Sequence, residues 1–380
     1  MANIVLKDAN GDRKIYSGVS TLKVKNEVGD SVEFKEKPRD YGKYVVRVID
    51  YDGSILKEEW LNKGDVFVMP DEPTHDRLVF QEWVAPVDIV DNTVTVGESD
   101  IIMGAIYTTK SGLSEFDITL TKATGLNVTL NMNGTKDWGD GTSDTATSHT
   151  YADYGDYMIT CDGTTMNISS STGLFGQGSS VSTYNNSLIN ARLCSVQSIN
   201  SYTFRGCRNL ESLACSTDIK SFSYDSFTST RIRGFVCPNQ MTSVGDRAFE
   251  SNSLLANLVL PNSNFSLGGS FLALTFVEFL SIPENIRSLS SSGAFSDTKI
   301  RRITFPKTIT SLGSFGANPS YWREINFSLL ETIPTLTSSM SNLNQLCKIY
   351  VPDLLYDQWI VATNWTSLAN YIYKSSEMEV

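Results

Sequence analysis

The sequence predicts a mainly β protein in which modular small β domains are followed by a repeat solenoid with a short C-terminal helical cap. Three observations carry that expectation. An apolar phrase returns eight times through the C-terminal half, beginning at Leu188, Leu210, Ile232, Leu255, Val277, Ile300, Trp322 and Leu346, at intervals of 22 to 24 residues. Ahead of it, short runs of alternating apolar and polar residues are separated by turn signals such as Asn10-Gly11 and Gly29-Asp30. Helical spacing is confined to the stretch after Pro352, with Trp359 and Trp365 at apolar positions.

The phrase has apolar residues at its first, fourth and sixth places. Side chains of a strand alternate between faces, so places four and six (Leu213 and Cys215, Leu258 and Leu260, Ile303 and Phe305) point inward while three and five point out. Each phrase is therefore one short strand. A second pattern follows at Phe204, Phe227, Phe249, Phe271, Phe295 and Phe315, and a third lies just before it at Ile199, Phe222, Val244, Leu267, Leu289 and Leu312. Pro238, Pro261, Pro283, Pro306 and Pro352 close several strands, because proline lacks the N–H that ladder pairing needs. No single repeat can bury its apolar face, so neighbours must stack into one continuous core.

Segments such as Thr242-Ser243-Val244-Gly245-Asp246-Arg247-Ala248-Phe249, followed by Leu258-Val259-Leu260-Pro261, closely resemble the BspA-like leucine-rich repeats of bacterial and phage surface proteins. The resemblance covers roughly residues 185–355. It implies a right-handed, parallel-stranded leucine-rich-repeat solenoid used for adhesion or recognition, and no catalysis. The first strand departs from the pattern, with Ala191 in place of a large residue.

Four segments are expected. Residues 1–40 read as an N-terminal β-hairpin module, and the opening Met1-Ala2-Asn3-Ile4-Val5-Leu6-Lys7-Asp8 resembles the first strands of phage virion proteins, which implies virion attachment. Residues 41–108, with Val45-Val46-Arg47-Val48-Ile49, Leu78-Val79-Phe80-Gln81-Glu82-Trp83 and Ile101-Ile102-Met103-Gly104-Ala105-Ile106-Tyr107, are similar to the B-repeat, a β-grasp-like spacer, with Phe80 and Trp83 as core. Residues 109–168 hold Trp138-Gly139-Asp140-Gly141-Thr142, His149-Thr150-Tyr151 and Gly155-Asp156-Tyr157, a pattern that resembles the immunoglobulin-like PKD domain with Trp138 in its core. Residues 169–380 form the solenoid and its cap, which covers an otherwise open strand edge.

Charge and composition narrow the function. Lys plus Arg total 31 against 42 Asp plus Glu, a net charge of −11. The acidity sits before residue 171, at −12, whereas residues 171–380 carry +1. No phosphate-neutralising basic patch is visible, so nucleic acid is not an expected partner, and no run of about 18 apolar residues points to membrane insertion. The six cysteines (Cys161, Cys194, Cys207, Cys215, Cys237 and Cys347) lack metal-ligand spacing and read as buried thiols. Cys215 and Cys237, at equivalent places on neighbouring strands, leave a disulfide sterically open.

No catalytic, cofactor-binding or metal residues are assigned. There are two histidines, His75 and His149, and the carboxylates concentrate in the spacer modules rather than the repeats. The chain is expected to be a non-enzymatic phage virion protein, a tail or capsid fibre or decoration. Its N-terminal modules would contact other virion proteins and its solenoid a host-surface glycan or protein, with homo-oligomerisation open. The alternative is a BspA-like bacterial surface adhesin, and a glycan-degrading enzyme stands behind both. The start has no basic, apolar leader and the end no wall-anchoring motif, which favours the virion. The candidate ligand face is the outward side of the later strands: Phe279 and Ser281, Arg302 and Thr304, Glu324 and Asn326, Lys348 and Tyr350.

Overall fold

A computed structural model describes strand residues 3–7, 13–17, 21–25 and 31–35, then residues 44–166, 173–175, 186–289, 293–313, 321–337 and 343–378. Phe315 lies outside the described residues. The chain divides into two units, 1–43 with 379–380, and 44–378. In the first, Asn3–Lys7 pairs antiparallel with Arg13–Ser17, and Thr21–Lys25 with Ser31–Lys35, the short strand pairs that apolar–polar alternation predicts.

The second unit opens with a four-stranded sheet in the order Ile55–Leu61, Tyr44–Ile49, Ile101–Thr109, Leu78–Val84. Tyr44–Ile49 runs parallel to Ile101–Thr109, and the remaining pairs are antiparallel. Eight of the nine residues of Ile101–Thr109 are buried, because both faces of this sheet are covered. Val46, Val48, Phe67 and Met103 form the core on one face. Val45, Ile49, Ile102 and Ile106 form the other, packed on Val236 and Val259 of the repeats. Phe80 and Trp83 pack against each other at 5.0 Å and are half-buried.

A six-stranded sheet follows, in the order Ser143–Asp144, Lys136–Asp137, Gly155–Cys161, Ser114–Leu120, Leu188–Leu193, Ser212–Cys215. It crosses from the Trp138 module into the repeats. Ser114–Leu120 pairs antiparallel with Gly155–Cys161 on one side and with the first repeat strand on the other, and that repeat strand then pairs parallel with the second. The solenoid does not begin as an independent unit, since its first strand is seated on the preceding module. One apolar cluster accordingly runs unbroken from Phe116 to Ile372.

The protein is mainly β, with a leucine-rich-repeat solenoid of about seven turns. Two parallel ladders build each turn. The apolar phrases make one, with Arg302–Thr304, Glu324–Asn326 and Lys348–Val351 in register. Serine-apolar pairs make the other: Ser198–Ile199, Ser221–Phe222, Ser243–Val244 and Ser266–Leu267. Between them the phenylalanines stack, Phe204 on Phe227 at 5.7 Å and Phe227 on Phe249 at 5.1 Å. Buried Asn252 holds two turns together: its amide donates to the carbonyls of Phe227 and Phe249, and its side-chain oxygen accepts from the Thr230 amide. All six cysteines are buried free thiols, and Cys215 and Cys237 are unbridged. Burial raises both thiols far above the usual range.

The eighth phrase differs from expectation. Leu346, its first residue, is 70% exposed, while Cys347 and Ile349 are buried. The cap is less helical than its spacing predicts: one α turn, Tyr356–Trp359, lies between 3-10 segments Asp353–Leu355 and Thr366–Tyr371. Asn364, at φ 66°, is in the left-handed region and breaks the run. Trp359 and Trp365 are buried against Phe327, and a last strand, Ile372–Lys374, pairs parallel with Lys348–Val351.

Candidate functional site

The sheet face expected to meet a ligand is largely covered by the chain's own 44–109 module. Phe279 packs edge-on against Trp60 at 6.0 Å, with the Arg47 guanidinium 5.0 Å above its ring. The Ser281 hydroxyl donates to the Asp100 carbonyl (2.6 Å) and accepts from the Ile102 amide (2.9 Å). Arg302 pairs with the buried Asp100 carboxylate at 2.5 Å, and the Thr304 hydroxyl donates to the Glu98 carbonyl at 2.9 Å. Burial lifts the Glu324 carboxyl above the usual range, with the Arg302 charge opposing that shift. Asn326 is buried, its side-chain oxygen accepting from the Ser328 amide. Tyr350 is buried beside Tyr373, over whose ring lies the Lys348 ammonium. The eight residues do lie together on one face, but Phe279, Ser281, Arg302 and Thr304 are engaged by the 44–109 module, which corrects the reading of that face as open. Alternation shows which side chains leave the core; it does not show what covers them.

His149 and Asp140 also have structural roles. The imidazole stacks on buried Trp138 at 5.0 Å, and its Nε2 stands 2.7 Å from Asp140 Oδ2. The Thr142 hydroxyl, followed by His149, holds the Asp140 carboxyl down at about 2. Trp138 donates from Nε1 to Asp144, and the Tyr151 hydroxyl donates to the Trp138 carbonyl. His75 Nε2 stands 3.0 Å from Asp50. Among the described residues no group of three or more His, Cys, Asp or Glu side chains is placed to hold a metal ion.

An open surface lies along the edge where each turn enters its phrase strand. Two grooves of about 910 and 480 Å³ share Ser251 and Ser253 and so form one trough from Arg208 to Tyr321. Thr119, Thr121 and Thr124 of the Trp138 module line its near end. On the repeat side the trough displays the residue just ahead of each phrase: Asn209, Arg231, Leu254, Phe276, Lys299 and Tyr321. Leu254 is 38% exposed, Phe276 52% and Tyr321 40%. The Lys299 ammonium lies 3.9 Å from the Tyr321 ring centroid and 5.1 Å from that of Phe276. Ser229, Ser251, Leu274 and Asp297, one per turn along this edge, all sit at positive φ between 54° and 61°. That left-handed residue turns the chain back toward the strand and lifts the following side chains outward.

These residues escape a reading built on core periodicity. The signal was the position one place ahead of the phrase, where Leu254, Phe276 and Tyr321 are apolar although the neighbouring repeats carry polar residues.

Fold and edge together define a parallel leucine-rich-repeat solenoid with an open trough along one edge. Residues 180–292 and 270–357 match the BspA type leucine rich repeat region, in six copies. A leucine-rich repeat protein of known crystal structure from Bacteroides ovatus is 21% identical, with a TM-score of 0.32, over 41% of this chain and 47% of that one. The chain thus spans about half the length of that protein. No curated protein matches the sequence.

Proposed function

We propose that the protein is a non-enzymatic adhesion and recognition protein of the bacterial cell surface. The observation that carries this reading is the run of BspA-type repeats over residues 180–357. Stacked repeats of this kind create extended surfaces suited to holding a partner rather than transforming it. Placement in a virion, expected from the opening strands, gains nothing from the fold or from the likeness to known proteins, so the bacterial-surface alternative takes its place. No helix among the described residues is long and apolar enough to cross a membrane.

Protease treatment of intact producing cells tests the proposal. A surface protein is cleaved while cytoplasmic markers survive. A chain protected in intact cells and recovered only from lysate or phage particles refutes it.

A further inference from the structure

The trough edge differs from the rest of the molecule in both charge and ring content. The chain as a whole carries −11, but residues 171–380 carry +1. Among the described residues, three cations line the trough, Arg208, Arg231 and Lys299, against one carboxylate, Asp297. Arg301, next to the strand that follows Lys299, is paired with Glu278 at 3.4 Å and is not part of that lining.

Ring spacing adds a second constraint. Phe276 and Tyr321 stand two turns apart, roughly 10 Å at the spacing of paired strands, and the Lys299 ammonium rests against both rings. The trough crosses five strand intervals from Asn209 to Tyr321, roughly 24 Å. Ser251, Ser253 and Thr124 also line it.

A ligand suited to this edge is extended, repeats at about the length of a disaccharide, offers flat C–H faces to the rings and hydroxyls to the serines and threonines, and carries negative charge. We infer that the trough binds an acidic polysaccharide, a pyranose chain bearing carboxylate or sulfate groups. Phe276 and Tyr321 stack on sugar rings, and Lys299 meets the acid group between them. The inference rests on the surface-recognition reading above and names its ligand class. An acidic peptide shares the charge but has no repeating flat face for two rings held at a fixed interval.

The test is calorimetric titration of the full chain with a heparin-derived octasaccharide, a neutral malto-octaose and an octaglutamate peptide. The acidic octasaccharide should bind, with affinity falling as salt rises, and the neutral one should not. Phe276→Ala and Tyr321→Ala should each weaken binding about tenfold. Lys299→Gln should weaken it and flatten the salt dependence. Lys220→Gln and Lys307→Gln, which remove exposed charges away from the trough, should change nothing, and every variant should keep the parent's melting temperature. Failure of the acidic octasaccharide to bind, or equal binding by the ring variants, overturns the inference. Octaglutamate binding as tightly, with the same dependence on Lys299 and none on the rings, also overturns it and assigns the edge to an acidic protein. All three leave the surface-adhesion reading intact if intact cells still expose the chain to protease.

Discussion

Docking of the 44–109 module on the repeats depends on two glycines, and a single methyl group should disrupt it. A Cβ at Gly234 falls 2.3 Å from Gly53 Cα and 3.0 Å from Gly53 N. Both obstacles are backbone atoms, so no side-chain rotation relieves the clash. Gly53 is itself fixed in a turn at φ 87°. Overpacking of this kind costs about 1–3 kcal/mol, and an unyielding neighbour places Gly234→Ala near the top of that range. Unfolding entropy of about 2.1 cal/mol/K per residue, over the 335 residues of 44–378, converts ~3 kcal/mol into a fall of about 4 °C. Calorimetry reads the fall, and the Ile102 amide, held by Ser281 across the same contact, should exchange with deuterium faster as the module lifts. Gly97→Ala, where an added Cβ meets nothing within 4 Å, is the matched control. If Gly234→Ala melts within about 1 °C of the parent and Ile102 stays as protected, the contact does not hold the module.

Trp138→Ala should cost ~3–5 kcal/mol, and because the apolar core is continuous into the repeats, one calorimetric transition should move down; a split into two transitions would show that the module unfolds alone. Asp100→Ala leaves the Arg302 guanidinium and the Val45 amide without their shared acceptor and should cost ~3–5 kcal/mol in chemical denaturation. Adding Arg302→Met should recover part of that loss, and no recovery would count against the pair. Asp140, held at about 2 against an ordinary 3.8, contributes stability that is complete above the ordinary value and disappears as pH falls toward the lowered one. Asp140→Asn should therefore lower stability at neutral pH and flatten its dependence between pH 2 and 4, and an unchanged acid limb would exclude this carboxylate. Deleting residues from 353 onward exposes the Trp359 and Trp365 contact on Phe327 and the Lys348–Val351 edge; aggregation should follow in light scattering, and a monodisperse product would deny the cap its role.

Much of the fold was legible because its cause is periodic. Places four and six of the phrase had to be apolar and buried, and Leu213, Leu258, Ile303 and Ile349 all are. The phenylalanine stack followed from the same count. Which face stayed open did not, because alternation fixes only in and out, and Phe279 and Arg302 look alike in sequence whether they meet solvent or Trp60 and Asp100. A clue existed in the near-continuous apolar run of Ile101–Thr109, which a sheet with one wet face does not need. Gly234, which opens the strand Gly234–Val236 inside its apolar phrase, was another, marking close approach of a second backbone. The exposed Phe276 and Tyr321 fell between the positions that core periodicity inspects. Ala191 read as a flaw in the first repeat, yet it lies opposite Phe116 in the shared sheet, where a small side chain leaves room for the neighbouring ring.

The six-stranded sheet sets how such a chain can change length. The first repeat strand is paired to Ser114–Leu120 and the last to Ile372–Lys374, so neither end accepts an added turn without losing its partner. Gain or loss of whole turns is therefore confined to the interior. Each interior unit inserted would lengthen the trough by one strand interval while both ends stay closed, making copy number a ruler for the length of what the edge can hold.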